Sequence, residues 1–327
     1  MATTDSPSAQ QLQVKSLTWE ADDVLTVEFV AVGDAELIPW QSGAHLDIEL
    51  PSGLRRQYSL CGDPRDLGSY RVSVLRQGDG RGGSLEIHDT PLVGRILTVH
   101  GPKNFFPLID SDQYLFLAGG IGITPIVPML AAVEAKGATW RCVYGGRSRT
   151  NMAFVDQLLC RYPGGVDLVP EDERGLIDLE KEISRTSSDT EIYCCGPAPM
   201  IAAVEEVCER LGRASRLHIE RFGVAQPASD DSDASGQGNS EFIIELKASD
   251  RSLSVPADRT ILDVVRDVMP DAPSSCEEGF CGSCETRVIS GDVEHRDTIL
   301  SEQERQENRT MMICVSRATS AKLVIDL

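Results

Sequence analysis

Cys276-Glu-Glu-Gly-Phe-Cys281-Gly-Ser-Cys284 carries three thiols at C-x4-C-x2-C intervals, and a fourth, Cys314, follows after residues 285–313. Three ligands on one loop and one from a distant segment is the plant-type arrangement for a 2Fe-2S cluster. Such a loop must bring its backbone close to the inorganic sulfurs, and Gly279, Gly282 and Ser283 are small enough to permit it. A structural zinc site would pair two C-x2-4-C knuckles, and the second is missing here. Disulfides would need an oxidising compartment, to which nothing in the chain points. Cys276, Cys281, Cys284 and Cys314 are therefore the expected metal ligands. A one-electron centre needs a supplier, and the remaining chain is where to look for it.

Working outward, 327 residues exceed what one core organises, so two or three domains are expected. The N-terminal MATTDSPSAQQLQVKS lacks a basic region followed by an apolar run, and no segment approaches 18 consecutive apolar residues. A soluble cytoplasmic protein with no membrane contact is the expectation. Cys61, Cys142, Cys160, Cys194, Cys195 and Cys208 remain outside the ligand set, which suits a reducing interior. A net charge of -20 argues against nucleic acid, whose phosphates it would repel. It keeps the chain soluble and can steer a basic protein partner.

From Leu12 to about Val99 the pattern is strand-like. Leu25–Val30, His45–Leu50 and Tyr70–Leu75 alternate or are rich in β-branched residues, with Gly, Pro and Asp between them. Short strands separated by turn signals read as an antiparallel barrel. Arg56-Gln-Tyr58-Ser59 would offer a cation, a flat ring and a hydroxyl to one planar anionic ligand. Gly82-Gly83-Ser84 ahead of a helix start would offer free amides to a phosphate. Each motif alone is also compatible with an ordinary strand or turn.

Beyond Gly101-Pro102 the texture alternates between strand and helix. Tyr114–Ala118 is a short apolar strand leading into Gly119-Gly120-Ile-Gly122-Ile-Thr124-Pro125 and a helical pattern over Ile126–Ala135. Glycines at such a turn let backbone approach a pyrophosphate, with Thr124 as cap and Pro125 as first helical residue. The glycine order is not G-x-G-x-x-G. Trp140–Tyr144 ends in Gly145-Gly146-Arg147, and Glu191–Cys195 ends in Gly196-Pro197 before a helix around Met200–Leu211. Strands ending in Gly-rich turns before helices describe a parallel sheet with its ligand at the carboxyl edge. Residues 226–240, rich in Ser, Gly, Asp and Ala, read as a flexible linker spanning roughly 20 Å. The last segment offers a hairpin over Glu241–Leu246 and Ser252–Val255, a helix over Thr260–Met269 capped by Asp258 or Thr260, and a capping-box signal at Ser301-Glu-Gln-Glu304. Cys314 beside Met311, Met312 and Val315 is expected to be buried.

In this order these motifs resemble the phthalate dioxygenase reductase family, the reductases of aromatic oxygenases and O-demethylases. Gly101–Pro107, Tyr193–Pro197, Pro273–Cys276, His295-Arg-Asp297 and Cys314–Arg317 share the likeness. It implies three modules: an FMN-binding antiparallel β-barrel at 1–108, an NAD-binding α/β domain with a parallel sheet at 109–225, and an α+β, β-grasp ferredoxin domain at 241–327. It further implies that Arg56 with Gly82, Gly83 and Ser84 binds the FMN phosphate, and that Tyr58 and Ser59 lie against the isoalloxazine. Phe222 would sit on the flavin side of the domain junction. Gly120, Gly122 and Thr124 would serve the nucleotide, and Cys195, Gly196 and Pro197 the nicotinamide. Gln57 stands where the family often has threonine or alanine, and Leu75 where a lysine can occur. The residues offer no clear place for an adenine beside the flavin, so FMN rather than FAD is expected. Arg147 and Arg149 lie where a ribose would, and NADH is expected ahead of NADPH.

The expected reaction takes hydride from NADH onto the flavin and passes single electrons through the cluster to a separate terminal oxygenase, of Rieske type. A monomer is expected. A haem-thiolate monooxygenase as acceptor, a free-standing NADH:flavin or quinone reductase, and a zinc-binding module are the alternatives.

Overall fold

The computed structural model describes residues 9–33, 35–78, 82–222, 240–270, 272–274, 277, 279, 282–297, 299–300 and 302–327, without the side chains of 302 and 303. Cys276, Cys281, Ser301 and the expected linker as far as residue 239 lie outside them. The chain divides into two compact units, Met1–Phe222 and Gly223–Leu327.

The first unit opens with β1 (Ala9–Ala21), β2 (Val24–Ala31), β3 (Ala44–Glu49), β4 (Arg55–Ser59), β5 (Tyr70–Leu75), the short helix α1 (Gly83–Asp89) and β6 (Ile96–Asn104). All pair antiparallel in the order β4-β3-β6-β1-β2-β5. A bridge from Leu60 to Val72 joins the two ends of that order, closing the sheet into a barrel and leaving no long open edge. The alternation seen in the sequence fills the interior: Tyr70, Val72 and Val74 of β5 face Leu46 and Ile48 of β3 and Val99 of β6 in one core.

A parallel sheet follows, built from β7 (Gln113–Gly119), α2 (Ile126–Lys136), β8 (Thr139–Gly146), α3 (Val155–Arg161), β9 (Val166–Pro170), α4 (Glu171–Arg174), α5 (Leu179–Ser184), β10 (Glu191–Cys195), α6 (Ala198–Arg210) and β11 (Leu217–Glu220). Its order is β11-β10-β7-β8-β9. Tyr114–Gly119 and Glu191–Cys195 are buried throughout, because helices cover both faces, and this is why Tyr114–Ala118 and Ile192–Cys195 read as unbroken apolar runs. The chain passes from β9 on one side of β7 to β10 on the other, so the switch point where α/β sheets take their ligands lies between β7 and β10. Tyr193 and Tyr114 pin the connection from the barrel. The Tyr193 hydroxyl accepts from Ile109 N at 2.7 Å and donates to Pro107 O at 3.0 Å, while Tyr114 donates to Ile109 O at 2.8 Å.

The second unit comprises β12 (Phe242–Leu246), β13 (Arg251–Val255), α7 (Ile261–Arg266), β14 (Glu285–Ser290), β15 (Val293–Glu294), α8 (Glu302–Glu307), β16 (Thr310–Met312), β17 (Arg317–Ala318) and β18 (Lys322–Ile325). The order β13-β12-β18-β14-β16 places the antiparallel hairpin β12–β13 beside β18, which runs parallel to β12, as a β-grasp requires. Phe242, Ile244 and Leu246 enter the core with Ile261, Leu262 and Val265 of α7. Thr260 caps α7 in a capping box with Asp263: Thr260 Oγ1 accepts from Asp263 N, and Asp263 Oδ2 from Thr260 N, both at 3.0 Å. The helix is shorter than the pattern to Met269 suggests.

Candidate functional site

At the carboxyl edge of the parallel sheet, the turns after β7 and β10 pack backbone on backbone. A Cβ on Gly122 would fall 2.3 Å from Cys195 O and 2.5 Å from Cys195 C, so only glycine lets these turns meet. Gly119 is equally close to Pro197 and Met200. Gly120, Gly122, Cys195, Gly196 and Pro197 thus form one continuous edge. Thr124 is almost fully buried and does not cap α2. Its hydroxyl donates to Ile121 O at 2.9 Å, closing a 3-10 turn over Gly120–Ile123, and Pro125 takes the position before α2 with no side-chain cap. Arg147 is exposed just beyond β8, and its carbonyl accepts from Asp172 N at 3.2 Å.

Three strands bring Ser59, Cys195 and Glu220 together. Ser59 ends β4, Cys195 ends β10, and Glu220 ends β11 in register with Cys195. The Ser59 hydroxyl donates to Glu220 Oε2 at 3.2 Å, joining barrel and sheet. Burial pushes the Glu220 carboxyl up to about 8, against the pull of the Ser59 hydrogen bond. Burial, followed by the neighbouring Glu220, holds the Cys195 thiol well above its ordinary range, so it is neutral. Glu220 is a functional candidate that no sequence motif marks. The available signal was its position two residues before Phe222, at the mouth of a strand. Phe222 is exposed at the end of this unit.

On the barrel side, Arg56 lies along the start of α1. A Cβ on Gly83 would meet Arg56 Cγ at 2.5 Å, and Gly82 precedes it in the left-handed region, φ 80°. Tyr58 is partly buried, and burial pushes its phenol to about 12, with Arg56 pulling the other way. The Ser84 hydroxyl accepts from Gln77 N at 3.1 Å, tying α1 back to the end of β5.

In the second unit Cys284 and Cys314 are both buried, and β14 and β16 bring them alongside: Glu285 pairs with Met312, and Ile313 N reaches Cys284 O at 3.5 Å. Gly279, between Cys276 and Cys281 in sequence, has φ 73°, and a Cβ there would fall 2.6 Å from Val315 Cγ2. This close approach of loop backbone to the residue after Cys314 fits a wrapped cluster. Arg266 of α7 holds the preceding segment, donating to Ser274 Oγ at 2.5 Å and Glu277 Oε1 at 2.6 Å.

Fold and site together define an NAD(P)H-dependent iron-sulfur reductase with a flavin-reductase-type barrel. A family described as a 2Fe-2S iron-sulfur cluster binding domain matches residues 244–319, and an oxidoreductase NAD-binding domain matches 116–206. Phenoxybenzoate dioxygenase subunit beta of Ectopseudomonas oleovorans is 39% identical over 319 residues, 97% of each chain. The solved phthalate dioxygenase reductase, described as a modular structure for electron transfer from pyridine nucleotides to 2Fe-2S, aligns at TM-score 0.76 and 34% identity over 98% of both chains. An intact type IV self-sufficient cytochrome P450 monooxygenase aligns at TM-score 0.82 and 38% identity, covering 98% of this chain but 41% of that one. The chain belongs to the phthalate dioxygenase reductase family, the electron-transfer reductases of multicomponent oxygenase and demethylase systems. Among the described residues no helix is long and apolar enough to cross a membrane.

Proposed function

We propose that the flavin is FMN, the donor NADH, and the acceptor a separate Rieske-type oxygenase or demethylase acting on an aromatic compound in the cytoplasm, with the reductase a monomer. A bound flavin supplies the step between a two-electron donor and a one-electron cluster. The observation that carries this reading is the meeting of Ser59, Cys195 and Glu220 beside two glycine turns. Arg56 and the Gly82-Gly83-Ser84 turn bind the phosphate of FMN, with the α1 amides as donors. Tyr58 and Ser59 would hold the ring, the tyrosine by packing against it and the serine by a hydrogen bond. Gly120, Gly122 and Thr124 shape the pyrophosphate seat, and Cys195, Gly196 and Pro197 bound the nicotinamide as a neutral, uncharged wall. Glu220, poised near neutrality, takes up and returns a proton through the Ser59 hydroxyl. Phe222 closes the outer side of the flavin. Arg147 stays solvated beside the ribose, where it does not demand a 2′-phosphate.

Cys276, Cys281, Cys284 and Cys314 hold the cluster. Plant-type clusters lie near roughly -400 mV and Rieske centres between about -150 and +300 mV, so transfer to a Rieske acceptor runs downhill. A haem-thiolate acceptor is the second reading, favoured by the likeness to the P450 monooxygenase. Acid extraction of the purified protein tests the cofactor: FMN and two irons per chain are expected, and FAD or zinc would contradict the assignment. Comparing kcat/KM for NADH and NADPH tests the donor. Turnover with candidate oxygenases separates the two acceptor readings.

A further inference from the structure

The second unit buries a group of polar side chains that the reaction described so far leaves unused. The Asp297 side chain is 0% exposed and that of His295 7%, with His295 Nδ1 3.6 Å from Asp297 Oδ1. Arg305 of α8 is 36% exposed, donates to Asp297 O at 2.6 Å and stands 3.7 Å from Asp297 Oδ2. Leu300 N donates to that same oxygen at 3.0 Å. Among the described residues, Asp297 Oδ1, both His295 ring nitrogens and Arg305 Nε have no hydrogen-bond partner. A buried carboxylate this poorly compensated is costly to keep. Its location suggests what it does: a Cβ on Gly279 would fall 3.0 Å from Asp297 Cα and 3.3 Å from Asp297 Cβ, so Asp297 packs against the segment between the first two cysteines of the motif at Gly279.

We propose that the Asp297–Arg305 pair fixes the reduction potential of the cluster. This rests on the assignment of a 2Fe-2S cluster to this unit. Adding an electron makes the cluster more negative, so the Asp297 charge opposes reduction and the Arg305 charge favours it. Asp297 is dry while Arg305 is partly hydrated, so the negative charge dominates the field at the loop. Neutralising one unit charge packed against the ligand segment in protein-like surroundings is expected to change the one-electron equilibrium by about tenfold, which is about 59 mV. The two partners act with opposite sign, which a merely structural pair would not do.

The test is EPR-monitored redox titration of the full-length holoprotein, wild type against Asp297→Asn and Arg305→Gln, with iron content and thermal midpoint as folding controls. Asp297→Asn is expected to raise the cluster potential by about 59 mV, and Arg305→Gln to lower it by a smaller amount. An unchanged potential in either loaded variant, or shifts of the same sign, overturns the proposal. If Asp297→Asn does not retain two irons, Arg305→Gln decides: a fall supports the proposal and any other result overturns it. Wild-type protein without a reduced-cluster EPR signal would instead remove the cluster assignment itself.

Discussion

Replacing Glu220 by glutamine tests whether its carboxyl, hydrogen-bonded to Ser59, is held neutral. Its ordinary value is 4.5 and burial pushes it up to about 8. A raised carboxyl contributes its full stability below pH 4.5 and loses it as pH rises towards 8, because the unfolded chain gains the ionised form first. Each pH unit in that window costs about 1.4 kcal/mol, which accumulates to roughly 3 kcal/mol at pH 7. Glu220 is partly exposed at the strand end, so solvent screening leaves ~2 kcal/mol. Glutamine keeps an acceptor for Ser59 and has no charge to lose. The Glu220→Gln protein should therefore gain ~2 kcal/mol over wild type at pH 7 and little at pH 5. Urea unfolding followed by tryptophan emission measures this, since Trp19, Trp40 and Trp140 all lie in the first unit. A difference between the two proteins that stays constant from pH 5 to 8 would refute a raised Glu220.

Three further outcomes follow from particular contacts. Gly122→Ala drives a Cβ into the Cys195 carbonyl and must shift one turn by ~1 Å, so kcat/KM for NADH should drop about 10²-fold, as read in steady-state ferricyanide reduction. Tyr193→Phe loses the two hydrogen bonds that hold residues 107–109 and should cost ~1–3 kcal/mol in the same urea experiment, because Ile109 N and Pro107 O lose their shared partner. Thr260→Ala removes the α7 cap and should cost the second unit ~1 kcal/mol, seen as a lower thermal midpoint for loss of iron-sulfur absorption.

The parts legible in the sequence are those where one local rule suffices. Tyr70–Leu75 and Glu191–Cys195 are strands at the limits their patterns give, because alternation of apolar residues marks one and the apolar run Ile192–Cys195, buried on both faces, marks the other. Thr124 does not cap α2 as the Thr-Pro pair suggests, because the glycines first wind a 3-10 turn that Thr124 closes. The small helices α3, α4 and α5 are four to seven residues long, too short for periodicity to show. Glu220 carries no such local signal. A carboxylate at a strand mouth normally faces water, and its partner Ser59 lies 161 residues away, so only the docking of sheet on barrel makes it a partly buried acid.

On the reading proposed above, electrons reach the oxygenase only by way of the iron-sulfur cluster. Anaerobic NADH reduction of wild type and Cys281→Ser, followed by stopped-flow absorption and by reduction of a one-electron protein acceptor, tests it most directly. The variant's flavin should still bleach at the wild-type rate while acceptor reduction collapses; a Cys281→Ser protein that reduces the acceptor as fast as wild type would rule the cluster out as the route.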